Sequence, residues 1–362
     1  MIKRICFFST GFAFNRLIRM RYYERIFPKE VKIFLVSTDK YSNKEKEKEK
    51  WNLERAEVHI LDYSAIGTPF KLRKFCMKNN IERIVNLGAP GSGIAFIIST
   101  LLTDKDYLMG YYGEVVKHRR ARNLLLRIKK FLLLYQYLLV GFFAKKLVFT
   151  DIDSYEKAHL FFMKSRARIS YAAAPVNTRL FVPKNRTTIR KKLKLQKNKK
   201  IILRVGRINY GKCGDILIKL VEKNQDVQFI LIGEWFESEV PKIKADNLLH
   251  IEKKSSKELV DYYNLSDLSF CLHRHGNGIG ITAEESLACG TPVILPKTLT
   301  MRNSSSIIKT SHDLDEVNSE LKKFLSLGKK QVEKIRKEAR CYAQKYCSDD
   351  AWKKEFIKFH LI

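Results

Sequence analysis

A chain of 362 residues, 45% of them hydrophobic, is too long for one ordinary core and has enough apolar material to bury two. Lysine and arginine number 69 against 38 acids, a formal charge of +31 that attracts phosphorylated, anionic-lipid or polyanionic partners. Seven cysteines, odd in number and widely scattered, argue against a disulfide scaffold and suit a cytoplasmic chain.

The N-terminal stretch MIKRICFFSTGFAF has no small-residue cleavage site and reads as a first strand, so export is not expected. Apolar runs of strand length follow at 31–38, 56–63, 81–88, 106–112, 145–150 and 168–174, with helical stretches such as 14–26 and 69–79 between them. Lys44 to Lys50 alternates in sign and reads as a solvated helix face. Basic residues 117–130 lead into the apolar stretch 131–144, which falls short of the roughly 20 residues that span a bilayer. It reads as a buried helix, or as a basic amphipathic helix resting on an anionic membrane surface. TDIDSYEK, from Thr150, reads as a helix cap with first-turn acids in preference to a metal-holding Asp-x-Asp.

Residues 182–200 are polar and strongly basic, the best linker in the chain. Beyond them the strand grammar resumes at 201–206, 227–233, 248–253, 268–273 and 291–296, and a helical stretch over 335–362 breaks at 347–350. Continuous apolarity within the strands predicts parallel sheets covered on both faces, hence an α/β chain of two doubly wound domains. The expected boundaries are a first domain over 1–180, a linker over 181–200, a second domain over 201–345, and a C-terminal helix over 346–362 returning to the first domain.

Two stretches carry chemistry. VGRINYGKCGD, from Val205, is a near miss to a phosphate-binding P-loop, with Cys213 where Ser or Thr would hold magnesium. Arg207 and Lys212 leave the carboxyl end of a parallel strand together, where two fixed cations clamp a diphosphate or else remain solvated. NGIGITAEESLACGTPVIL, from Asn277, opens a helix behind Gly278 and Gly280, leaving backbone N–H groups open to an anionic ligand. The competing reading is a capping box between Thr282 and Glu285 that needs no ligand. Cys271, His273, His275 and Cys289 make a weak zinc set, and His273 and His275 fit the mouth of a cleft better. No G-x-S-x-G is present, so acyl transfer is not supported.

In combination, PVNTRLFVP from Pro175, VGRINYGKCGD, the glycine-terminated strand FILIGE, and NGIGITAEESLACGTPVI resemble four successive landmarks of the retaining glycosyltransferase family numbered four. The resemblance runs from about residue 145 to the C-terminus and implies the GT-B fold, two Rossmann-like domains facing across a cleft. It implies catalytic roles for Arg207 and Lys212 on the donor diphosphate, for Glu285 on the ribose hydroxyls, and for Asn277, which stands where the family has its first glutamate. It implies a donor site lined by Gly206, Gly233, His273, Gly278, Ile279, Gly280, Ile281 and Thr282, and requires neither metal nor cofactor beyond the nucleotide-sugar. On the acceptor side the candidates are Gly11, Asn15, the glycines at 91–93, Gly113 and Glu114. The expected activity is transfer of a sugar from a UDP- or GDP-sugar to a glycan or lipid-linked acceptor of cell-surface polysaccharide or lipopolysaccharide, by a cytoplasmic, membrane-peripheral enzyme. Asn277 and the replacement of a glycine loop by KTLTMRNSSS motivate a second reading, a nucleotide-sugar binder without catalysis. A basic nucleic-acid-binding protein is the third, though no reader motif is present and no nucleic acid is expected.

Overall fold

The computed structural model describes residues 3–9, 24, 27–38, 53–62, 67–86, 106–111, 146–149, 155, 169–171, 175–193, 199–274, 279–299 and 301–360. The chain divides into two compact units, Met1–Ala173 with Trp352–Ile362, and Ala174–Ala351.

The first unit is a seven-stranded parallel sheet in the order β3-β2-β1-β4-β5-β6-β7. Its strands are β1 (Arg4–Ser9), β2 (Lys32–Ser37), β3 (Glu57–Ile60), β4 (Arg83–Asn86), β5 (Asp106–Tyr111), β6 (Lys146–Phe149) and β7 (Ile169–Tyr171), and helix α1 spans Gly67–Lys78. The strand order reverses between β1 and β4, the doubly wound arrangement. Gly11, Asn15, residues 91–93, Gly113 and Glu114, the acidic stretch after Thr150 and the basic-apolar stretch 117–146 lie outside the described residues, apart from Lys146 and Tyr155. Among the described residues no helix is long and apolar enough to cross a membrane.

The second unit is a six-stranded parallel sheet, order β10-β9-β8-β11-β12-β13. Its strands are β8 (Lys200–Val205), β9 (Val227–Ile232), β10 (Leu248–Ile251), β11 (Leu268–Phe270), β12 (Val293–Pro296) and β13 (Ile307–Thr310). Helices α2 (Arg186–Lys192), α3 (Gly214–Lys223), α4 (Ser256–Leu265), α5 (Ile281–Ala288), α6 (Leu314–Leu325) and α7 (Lys329–Tyr346) follow the chain around it, and α8 spans Asp349–His360.

Side chains of β8 and β9 alternate between two cores. Ile201, Leu203, Ile230 and Ile232 face one side, where they pack with Tyr263 of α4, Leu287 of α5 and Ala343 of α7. Ile202, Phe229 and Leu231 face the other, with Leu217 of α3 and Val317 and Leu321 of α6. Period-two alternation with both faces buried is why these strands read as unbroken apolar runs. Each such side chain contributes about 1.5–3 kcal/mol relative to exposure.

Four expectations change. The segment expected as a linker carries α2, whose Arg186 and Arg190 pair with Asp267 at 2.8 and 2.9 Å, so this basic stretch is tied to the second unit. The strand expected over 268–273 stops at Phe270, because the chain turns so that the Arg274 N–H reaches the Gly211 carbonyl at 3.0 Å. Strand β13 was not predicted. The capping box on α5 does not form: Gly280 is the cap residue, with no side-chain capping bond.

Candidate functional site

In an open parallel sheet, ligands bind beyond the carboxyl ends of the strands where the strand order reverses, because the two diverging loops leave a crevice there. In the second unit that point lies between β8 and β11. Both loops carry positive charge.

The loop after β8 begins at Gly206, whose N–H donates to the Ile232 carbonyl at 2.8 Å. Asn209 then caps a single 3-10 turn, Tyr210–Lys212, by accepting the Lys212 N–H at 3.0 Å on its side chain. Cys213 holds φ 55°, a left-handed conformation that ends the turn and launches α3. This turn delivers Lys212 to the end of the sheet. A P-loop would instead wrap its backbone around the phosphate, so the near miss in sequence is a different device in space.

Arg204, the fifth residue of β8, is fully buried and reaches across the divergence, donating to the Phe270 carbonyl at 3.1 Å and the Arg207 carbonyl at 3.3 Å. Arg207 is exposed beside it. Burial, followed by the charges of Arg204 and Arg207, holds the Lys212 ammonium below its ordinary pKa. Lys212 has no carboxylate partner among the described residues. Three cations therefore gather at the switch point without a carboxylate to neutralise them, an arrangement that favours an incoming anion.

Arg274 braces this loop from the β11 side. Its guanidinium binds Asp215 through two bonds of 2.6 and 2.8 Å and lies 3.8 Å over the Tyr210 ring. A bidentate, stacked arginine fixes geometry as well as charge.

Helix α5 supplies the remaining groups. Gly280 adopts φ 85° and a Cβ there would meet nothing within 4 Å, so the backbone before the helix is open to a ligand. Ile281 and Thr282 form the first turn, Ile279 packs partly buried against the core, and Thr282 hydrogen-bonds the Cys271 side chain. Cys271 also feels the charges of Arg204, Lys212 and Glu285, which places the start of α5 beside the cation cluster. Its thiol is pushed up to about 11 by burial. Glu285 accepts the Tyr263 hydroxyl at 2.8 Å, and burial pushes its carboxyl up to about 7 against the lowering effect of that bond.

Of the residues expected from the sequence, Gly206, Arg207, Lys212, Gly280, Ile281, Thr282 and Glu285 come together at this edge, with Gly233 at the end of β9. Asn277, Gly278 and His275 lie outside the described residues. His273 is buried, with Nδ1 3.1 Å from the Cys271 carbonyl, so its ring is engaged with its own chain. Cys289 ends α5 at its far end, apart from the start of the helix where Thr282 meets Cys271, and among the described residues no group of three metal-ligating side chains is found. Sequence reading missed Arg204, Arg274, Asp215 and Tyr263. An arginine inside an otherwise apolar strand, IILRV, was the available signal.

Residues 185–341 match the family model described as glycosyl transferases, group 1. That stretch is a group 1 glycosyltransferase domain. The D-inositol 3-phosphate glycosyltransferase of Mycolicibacterium smegmatis is 28% identical over 140 residues, 36% of this chain and 32% of that protein. The chain thus matches about a third of the length of the curated relatives. Among solved structures, the sucrose-phosphate synthase of Thermosynechococcus elongatus superposes with a TM-score of 0.78 at 16% identity, covering 99% of this chain and 98% of that one. The Anabaena protein HepE in complex with UDP gives a TM-score of 0.79 at 11% identity, covering 98% of each chain. These likenesses extend over both units and establish the GT-B class of fold for the chain.

Proposed function

We propose that this chain is a retaining glycosyltransferase that takes a sugar from a UDP- or GDP-linked donor and passes it to a glycan or lipid-linked acceptor of cell-surface polysaccharide or lipopolysaccharide synthesis. The observation that carries the reading is the cluster of Arg204, Arg207 and Lys212 at the switch point, unneutralised by carboxylate and facing the open start of α5. The names of the relatives, and the UDP held by HepE, support a nucleotide-sugar donor.

In the proposed reaction the bond from the anomeric carbon to the diphosphate breaks, the leaving oxygens gain negative charge, and the sugar becomes oxocarbenium-like. Lys212 and Arg207 stabilise those oxygens, with Arg204 fixing the loop that bears Arg207. Preorganised cations need no reorientation as charge develops, which is where their catalytic effect comes from. The N–H groups of Ile281 and Thr282 face the phosphate or sugar, and Glu285 takes the ribose hydroxyls. A cytoplasmic site of action, with peripheral contact to an anionic membrane through 117–146, belongs to the same proposal. The nucleotide-sugar binder without catalysis remains the second reading, favoured by Asn277, since a neutral amide adds no charge to steady a cationic transition state.

Thermal-shift titrations with UDP, GDP, CMP and a short DNA test the donor site, because a ligand that binds only the folded state raises its melting temperature. UDP or GDP is expected to stabilise the protein, and Lys212→Ala to abolish the effect. Stabilisation by DNA alone would reject the assignment. In turnover, Lys212→Ala is expected to lose about a hundredfold in rate, roughly 3 kcal/mol, with the fold intact. A label-transfer assay separates catalysis from binding: transfer from any nucleotide-sugar refutes the second reading.

A further inference from the structure

A groove of about 1000 Å³ lies within the second unit and belongs to none of the chemistry described above. Its lining includes Lys199 and Lys200 at the start of β8, Asp267 before β11 and Gly290 before β12. It therefore opens at the amino ends of the strands. Lys212 stands beyond the opposite, carboxyl end of β8, separated by the length of a six-residue strand, about 20 Å, while Glu285 lies on α5 one turn before Cys289 of the groove. A compact anion held among the lysines and arginines of the groove therefore does not reach Lys212.

The groove is heavily charged. Nine of its lining residues are lysines or arginines and two, Asp267 and Glu333, are acids. Asp267 already counters Arg186 at 2.8 Å and Arg190 at 2.9 Å, with Lys200 at 4.0 Å. Arg336 and Arg340 are held by main-chain oxygens instead: Arg336 donates to the Ser266 and Asn264 carbonyls, and Arg340 to those of Phe181, Ala288 and Thr178. Carbonyls satisfy the hydrogen-bonding geometry of a guanidinium but leave its charge in place. Burial and the charge of Arg186 push Arg336 down to about 9, the response of a cation crowded by others. Among the described residues, the buried Nε of Arg186 has no hydrogen-bond partner. At the rim, Lys199, Lys329 and Lys337 have no acidic partner among the described residues.

A concave, walled site with this excess of one sign concentrates counter-ions. Forked guanidiniums match the oxygens of phosphate, and so many cations match several phosphates better than a single charge. We infer that this groove binds a compact anion carrying two or more phosphate groups, bridging α2, α7 and the amino edge of the sheet. The shared chemistry is a polyphosphate or a phosphorylated small molecule, or a lipid headgroup bearing phosphate. The inference stands independently of the donor-site reading.

The probe is tripolyphosphate, titrated by calorimetry and thermal shift against the 362-residue Lys212→Ala protein, in which the opposite edge is disabled. Binding with a raised melting temperature is expected, and Lys199→Glu with Lys337→Glu on that background is expected to weaken it at least tenfold. The same charge reversals in the otherwise unchanged protein should leave the response to UDP or GDP intact, which also reports that they fold. Lys329→Glu gives a second, separate rim change with the same expectation. No binding by the Lys212→Ala protein, or binding indifferent to the rim reversals, overturns the inference. The lipid source is read from vesicles containing phosphatidic acid: capture that tripolyphosphate competes away assigns a headgroup to the groove. Capture that tripolyphosphate does not affect, with no tripolyphosphate binding, places the charge on a membrane-facing surface and overturns the groove as a site.

Discussion

At the scale of single residues, Glu285 stands out because its environment opposes its charge. Its carboxyl sits at about 7 against an ordinary 4.5, so between those values the folded state holds a proton that the unfolded chain has released. Its contribution to stability is therefore greatest below about 4.5 and falls as pH rises through 7. Glu285→Gln removes that titration. The variant is expected to match the parent near pH 5 and to exceed it near pH 8 by on the order of 2 kcal/mol, since one pKa unit corresponds to about 1.4 kcal/mol. Melting curves at the two pH values check this, and a variant no more stable at pH 8 would remove burial as the cause. The same substitution should weaken UDP or GDP binding about tenfold if the carboxylate takes the ribose hydroxyls. Arg207 and Lys212 could be singled out in the sequence because they leave a strand end together, whereas the spacing of Glu285 read as a capping box and only the family resemblance pointed to a ligand. Tyr263, 22 residues before Glu285, and Asp215, 59 before Arg274, were not legible, because only the fold brings those partners together.

At the scale of elements, Gly206 and Gly233 come into close contact just beyond the carboxyl ends of β8 and β9. Gly233 adopts φ 147°, and a Cβ on it would lie 2.2 Å from the Gly206 carbonyl oxygen, a distance that no side chain tolerates. Gly233→Ala must push the two strand ends apart and displace the turn that carries Arg207. It is expected to destabilise by more than about 3 kcal/mol, the range of severe backbone disruption, and to lose nucleotide binding. Gly280→Ala is the matched control: it meets open space, so only its positive φ is costly, about 1–2 kcal/mol. Denaturant midpoints of the two variants compare collision with strain, and equal losses would contradict the packing described. Twelve of the thirteen described strands were readable, the central ones such as β2, β8 and β9 because burial on both faces writes continuous apolarity into them. The thirteenth, Ile307–Thr310, was not, since four residues behind a run of serines carry too little pattern. The overextension of β11 to His273 has the same origin: Cys271 and Leu272 are buried like strand residues, yet hydrogen bonding to Gly211 pulls the chain away.

At the scale of the whole molecule, the charge of +31 makes two opposing accounts testable by salt. If the charge exists to hold nucleic acid, binding rests on many exposed phosphate contacts, each releasing a condensed counter-ion. Affinity would then fall by about 10³–10⁵ between 50 and 200 mM salt. If the functional charge is the cluster at the switch point, few cations contact the ligand and Lys212 and Arg204 are shielded by protein. Screening then acts weakly, because at 0.15 M it operates over about 8 Å of solvent and buried charges lie largely outside its reach. The prediction is that the UDP or GDP dissociation constant rises less than tenfold from 50 to 500 mM NaCl, while any retention on DNA disappears over the same range. Isothermal titration at four salt concentrations decides it through the slope of log affinity against log salt. A shallow slope that flattens further in Arg207→Ala ties the residual dependence to that exposed guanidinium, since removing one contacting cation removes its share of the counter-ion release. A steep slope, unchanged by Lys212→Ala, would mean that the nucleotide is held by the dispersed surface charge and that the cluster at the end of β8 is not where it binds.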